Sequence, residues 1–169
     1  LGGHFRIECR SLPSGPTVVD MIANAALLIG LATGLRDEMP YLIPTFPFHL
    51  AEYNFYRSAQ QGLDAKILWP QTQQNSPQEV NLIETLSTLI PVAEKGLQML
   101  GVEQAEISKV LGNIQNRVDR KMSGSIWQNQ MLASLQGKYS RDEALHLMFE
   151  RYILEMQAGH SVADWCQIL

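Results

Sequence analysis

The sequence predicts a mainly α protein: a bundle of about six helices preceded by one N-terminal β-strand. Three observations predict it. From Phe5 to Arg10 the residues alternate strictly, with Phe5, Ile7 and Cys9 on one side and Arg6, Glu8 and Arg10 on the other. That is the two-residue period of a half-buried strand. From Val18 onward the apolar residues recur instead every three or four positions, the period of helices. Cap signals and glycines punctuate these stripes, where helices start and stop.

The first helix is expected from Val18 to about Arg36. Thr17-x-x-Asp20 opens it like a capping box, with the acid near the positive helix end. It is apolar nearly all round, Val19, Ile22, Ala26 and Ile29 on one side and Leu28, Leu31 and Leu35 on another, which predicts burial on all sides. Gly30 and Gly34 suit close approach by a neighbour. Asp20 and Asn24 share a face; they read as a cap and a satisfied buried amide, or as support for a site beside Arg10. Pro40, Pro44 and Pro47, interleaved with Tyr41, Phe46 and Phe48, predict an extended covering loop. A second helix follows from about Phe48 to Gln61 and stops at Gly62. On it Asn54 and Arg57 lie on one face.

Ala65 to Trp69 reads as a short strand or extended strip. Ser76-Pro77-Gln78-Glu79 has the N-cap, N1 proline and N3 acid of a helix start. The third helix carries Ile83, Leu86, Ile90, Ala93, Leu97 and Leu100 inward, with a kink at Pro91. A fourth, about 103–120, turns Ile107, Val110, Leu111, Ile114 and Val118 inward. A fifth, about 125–136, does so with Trp127, Met131 and Leu135. The sixth runs from Arg141 to Ala158 behind the capping box Ser140-x-x-Glu143, with Leu145, Met148, Phe149, Tyr152 and Met156 inward. Core filling is the expected role of Met131, Met148 and Met156.

The 169 residues form one domain by size; 46% are apolar and 18% charged, as in globular chains. The net charge of −4 argues against a nucleic-acid binder, which would show a basic patch or stripe. No apolar run reaches the ~20 residues a bilayer span needs. The two cysteines, Cys9 and Cys166, make no disulfide framework or metal spacing, and Cys9 falls on the apolar side of the strand, where core packing is expected. The four histidines are far apart; His146 is expected in solvent, and only His4 is near the charged strand. Dinucleotide, P-loop and serine-hydrolase motifs are absent from the sequence.

The Arg6-Glu8-Arg10 face is what a solvated strand edge carries to discourage aggregation. It is also a chemical set. A Glu is a hard oxygen ligand for Mg²⁺, and an Arg offers a bidentate fork to phosphate.

Glu8-Cys9-Arg10, then Ser14-Gly15-Pro16-Thr17 opening a helix with Asp20 and Asn24, resembles the C-terminal part of the glutamate–cysteine ligase / carboxylate–amine ligase family. Asn54-Phe55-Tyr56-Arg57-Ser58-Ala59 with Gly62-Leu63-Asp64-Ala65 is similar to that family's Asn-x-aromatic-Arg-x-Ala…Gly-Leu-x-Ala block. The chain departs from the pattern at Pro13, where many relatives carry an acid, and at Gln60, where an Arg is often found. The resemblance implies a glutamine-synthetase-like antiparallel sheet, to which the strand would belong in a longer protein. It implies ATP and Mg²⁺ as cofactors, glutamate and an amine such as cysteine as substrates, and a cytoplasmic setting. ATP would phosphorylate the carboxylate, and the amine would then displace phosphate from the acyl phosphate. Glu8 resembles the metal-binding Glu of the last sheet strand. Arg10 resembles the catalytic, phosphate-contacting Arg, with Arg6 beside it. Asn54 and Arg57 resemble site-lining residues.

On this reading residues 1–13 are the terminal sheet strand, 14–70 the site-lining helices and proline loop, and 76–169 the helical bundle. The chain is expected to be a C-terminal fragment that needs its own N-terminal region, inactive alone, with a homodimer as one way to cover the strand's edges. A second class is a non-enzymatic helical interaction module docking a partner by edge addition. A third is a helical bundle that binds an apolar ligand.

Overall fold

The computed structural model describes residues 3, 8, 9, 12, 14–70 and 76–165. Among them the protein is mainly α, with seven α-helices and one two-stranded antiparallel sheet. At Glu8 and Cys9 the backbone belongs to neither helix nor strand, and Cys9 is exposed, not in a core. The other positions of the expected N-terminal strand (Phe5, Arg6, Ile7 and Arg10) lie outside the described residues, as do His4 and Cys166.

Helix α1 spans Val18–Gly34, capped by the Thr17 hydroxyl, which accepts the Asp20 N–H. Burial reaches one side of it only. Ala23 and Gly30 are buried, whereas Val19, Ile22 and Ile29 face solvent, so the expectation of a helix buried all round is wrong. The buried side meets α4 (Leu82–Met99) across three glycines. A Cβ on Gly30 would lie 2.5 Å from the Ala93 carbonyl oxygen, and Cβ atoms on Gly34 or Gly96 would also run into the facing backbone. Only residues without a side chain allow two helix backbones this near. α5 (Gln104–Asp119) packs into the angle between them. Ile90, Ala93 and Leu97 of α4 and Ile107, Leu111, Ile114 and Val118 of α5 complete that core around Ala23. Leu100, expected inward, is exposed.

The proline-spaced stretch is helical rather than extended. α2 spans Met39–Thr45. Pro40 sits in its first turn, where a missing N–H costs nothing, and Pro44 removes a single bond from a helix only seven residues long. Pro47 then ends the run by restricting Phe46 before it and takes the N-cap position of α3 (Phe48–Gln61). Gly62 follows at φ +58°, as its position past the helix end predicts.

The start signal at Ser76-Pro77 does not open a helix. Gln78–Asn81 is strand β2, paired antiparallel with β1 (Lys66–Trp69) so that Ile67 lies opposite Val80. The helix begins at Leu82, with Asn81 at the N-cap and Glu84 at N3; the Asn81 Nδ2 donates to the Glu84 carboxylate at 3.0 Å. Pairing with β1 takes 78–81 into the sheet, so the helix starts at Leu82 rather than at Pro77, as the signal at Ser76 predicts. α4 continues through Pro91.

α6 (Gly124–Leu135) and α7 (Arg141–Ala158) form a hairpin with its own core, in which Trp127, Met131 and Leu135 meet Ala144 and Met148. Leu145, Phe149 and Met156, expected inward, are exposed. α7 carries apolar residues on more than one face, and packing on α6 selects the Ala144–Met148 face. His146 is exposed as expected, 3.2 Å from Glu150. Among the described residues no single helix is long and apolar enough to cross a membrane; α1 and the helical stretch 36–45 pass that test only as a pair bent by 47°.

Two predictions follow from the helix ends. α5 closes with Lys121 in the left-handed region, φ +49°, its N–H donating to the Val118 carbonyl while Met122 N–H reaches Arg117. This is the Schellman turn that glycine normally serves. Because an L-residue there costs about 1–2 kcal/mol and glycine's extra chain entropy offsets part of that, Lys121→Gly is expected to raise the unfolding free energy by about 0.5–1 kcal/mol, read as a higher urea midpoint at unchanged slope. At α7, Glu143 accepts from both the Ser140 hydroxyl and the Ser140 N–H. The hydroxyl bond first and the backbone bond second hold its carboxyl below the usual range. A lowered folded-state pKa stabilises above the unfolded value and is lost as pH falls through the folded one. The stability gap between the protein and Glu143→Gln should therefore be present at pH 7 and close below about pH 4, read by urea unfolding at each pH.

Candidate functional site

Asp20 is the most constrained side chain of the molecule. It is fully buried. A buried carboxylate must be compensated by hydrogen bonds and positive charge, and both are present. The Thr17 hydroxyl donates to Oδ2 at 2.8 Å, the Val162 N–H to the same oxygen at 3.1 Å, and the Ser161 hydroxyl to Oδ1 at 2.9 Å. Arg117 Nη1 stands 3.9 Å from Oδ1 and donates to the Asn24 amide oxygen at 2.8 Å. Burial lowers the Arg117 pKa, opposed by Asp20. Tyr152 is pushed up, by burial first and by the Asp20 charge second.

Asp20, beside the Thr17 cap, is thus tied to the C-terminal segment and Asn24 to α5; Arg10, beside which they would support a site, lies outside the described residues. Their partners Arg117, Ser161 and Val162 were missed in the sequence: they lie 93 to 142 residues away, and no local pattern marks them. The signal that could have pointed to them is a charged residue at a core-facing position of α1, which demands a cation from somewhere.

Beside this network lies a cavity of about 110 Å³, lined by Asn24, Leu27, Leu63, Leu86, Ile114 and Arg117 among others. Ligand pockets run to about 300–1,000 Å³, so it admits small groups only. Arg117 Nε, buried, has no hydrogen-bond partner.

Asn54 does not reach this network. Its Nδ2 donates to the Leu68 carbonyl at 2.7 Å and its Oδ1 accepts the Leu68 N–H at 2.8 Å. The amide therefore clamps the free edge of β1 onto α3, and every strong hydrogen-bonding direction it has toward that strand is used. Arg57 lies over the Tyr53 ring, 5.6 Å from its centroid, with its buried Nε unpaired. The groove nearby, about 600 Å³, is walled by Phe46, Asn54, Phe55, Ile67, Trp69 and Leu82. Among the described residues no cation lines it.

Glu8 is exposed. Among the described residues no group of three or more His, Cys, Asp or Glu is placed to hold a metal ion, so Glu8 does not by itself fit Mg²⁺. Arg6 and Arg10 lie outside the described residues. No model of a known protein family matches the chain, and neither does a curated protein or a solved structure.

Removing the Asn54 amide would strand two backbone groups of β1. Asn54→Ala is expected to cost about 1–3 kcal/mol, measured by urea unfolding, with hydrogen exchange speeding up first at Leu68.

Proposed function

We propose that the chain is the C-terminal portion of an ATP-dependent carboxylate–amine ligase, γ-glutamyl–cysteine ligase-like and cytoplasmic. The observation that supports this is convergence. The two stretches that resemble the ligase family are about forty residues apart, yet Asn24 of the first and Leu63 of the second line one cavity, which Arg117 also lines. In this reading Glu8 contributes one oxygen ligand to a Mg²⁺ site whose other acids come from the N-terminal region of a longer protein. Arg6 and Arg10 face the phosphates, and Arg10 neutralises the transferring phosphoryl group. Asn54 acts as a scaffold rather than by touching substrate, since Leu68 occupies its amide. Arg57 retains an unpaired Nε and stays a site-lining candidate.

A helical interaction module is the second reading. The apolar face of α1 left in solvent, with Val18, Ile22 and Ile29, favours it.

Isothermal titration of ATP with excess Mg²⁺ distinguishes them. The longer protein should bind, and Arg10→Ala should weaken binding about 10–100-fold, the range for a lost charge-assisted bond; the 169-residue chain alone should neither bind nor hydrolyse ATP. Binding indifferent to Arg10, or none by the longer protein, would favour the interaction module.

A further inference from the structure

The molecule has two separate apolar cores. One joins α1, α4 and α5. The other joins α6 and α7 and is closed by Val162, Ala163 and Trp165 of the segment that follows α7. That segment is a strap bound to the hairpin by aromatic contacts. Trp127, Tyr152 and Trp165 meet edge to face in all three pairs, with centroids 5.0 to 6.1 Å apart, and Trp165 Nε1 donates to the His160 carbonyl at 3.0 Å.

The joint between the two cores differs in kind, because much of it is polar. Asp20 takes the Ser161 hydroxyl and the Val162 N–H. Arg120 Nη1 donates to the Ala163 carbonyl at 2.8 Å and stands 3.4 Å from Asp164, to which Asn116 Nδ2 also donates at 3.0 Å. The Pro16 ring lies under Gly124, where a Cβ would be 2.9 Å from it. α6 and α7 otherwise pack mainly on each other. Separating an apolar interface exposes surface that water cannot satisfy; the hydroxyls, carbonyl and guanidinium of this joint regain water when it opens. Cooperative units of different opening free energy divide along such lines.

The geometry points to a conformational device: α6, α7 and the strap form one unit that opens from the α1/α4/α5 bundle by releasing the Asp20 clasp, with its own core intact. The hinge is the turn at Arg120–Lys121, with Lys121 left-handed; Met122 is buried in the hairpin core and moves with it. Opening bares Asp20, Arg117 and the Gly15–Thr17 turn at the start of α1. This does not depend on the ligase reading.

Hydrogen exchange on the whole 169-residue chain under native conditions tests it, comparing Asp20→Asn and Ser161→Ala with the unaltered protein. Asp20→Asn keeps the shape but removes the charge and misplaces one acceptor. It should accelerate exchange about tenfold or more throughout 124–165, as expected for the loss of one or more buried hydrogen bonds, and leave α4 and α5 within twofold. Ser161→Ala should act on the same segments, more weakly. Unchanged protection of α6 and α7 in both variants would overturn the device. So would acceleration of α4 and α5 together with the hairpin, including global unfolding of Asp20→Asn, if Ser161→Ala also spreads to α4 and α5.

Discussion

The two cores of the structure are joined through one carboxylate taken out of water. Asp20 sits on the first turn of α1 with no exposed surface, and an ionised acid in that position is tolerated only with donors and a cation around it. The chain delivers them from three places: Thr17 just before the helix, Arg117 at the end of α5, and Ser161–Val162 beyond α7. These contacts hold the start of the described helical body to its finish. They explain why a polar residue stands on an otherwise apolar helix, since apolar packing alone would leave the strap's direction unspecified.

The second constraint is steric. Gly30, Gly34 and Gly96 bring α1 and α4 so near that a single added methyl would meet backbone. Side chains can rotate away from a clash, but a carbonyl in a helix cannot, so these positions admit no substitute without moving a helix. α5 then fills the flank with Ile107, Leu111, Ile114 and Val118. The close pair uses the small face of α1, with Leu27 and Leu31 at the core's flank and Val18, Ile22 and Ile29 outward. The exposure of Ile22 and Ile29 follows from that choice, and it leaves an apolar surface of the sort that partners cover.

Much of the architecture was legible in order. The spans of α1, α3, α5, α6 and α7 follow from periodicity and caps, and the Ser140–Glu143 capping box forms as its spacing implies. The failures share a cause. At 76–79 a start signal stands in the sequence, yet the pairing of Gln78–Asn81 with Lys66–Trp69 takes those residues into the sheet. At 39–47 prolines suggest an extended loop, yet Pro40 falls in a first turn and is harmless there. On α7 apolar residues surround more than one face, and the Ala144–Met148 side wins because α6 lies against it. The candidate site was legible only as residue types. Asn54 has the right face but a backbone partner, Leu68, which its own neighbourhood in the sequence does not reveal.

By itself the sequence determined the helical class, most helix boundaries and the residues fit for close approach or capping, because these rest on interactions within three or four positions. It also determined that Asp20 must find compensation. Only the tertiary structure decided which face of α1 and α7 is buried, where α4 begins, and that Arg117, Ser161 and Val162 answer Asp20. Those outcomes depend on contacts between residues far apart in the chain, where burial and desolvation are set by the arrangement of whole elements and local spacing carries no information about it.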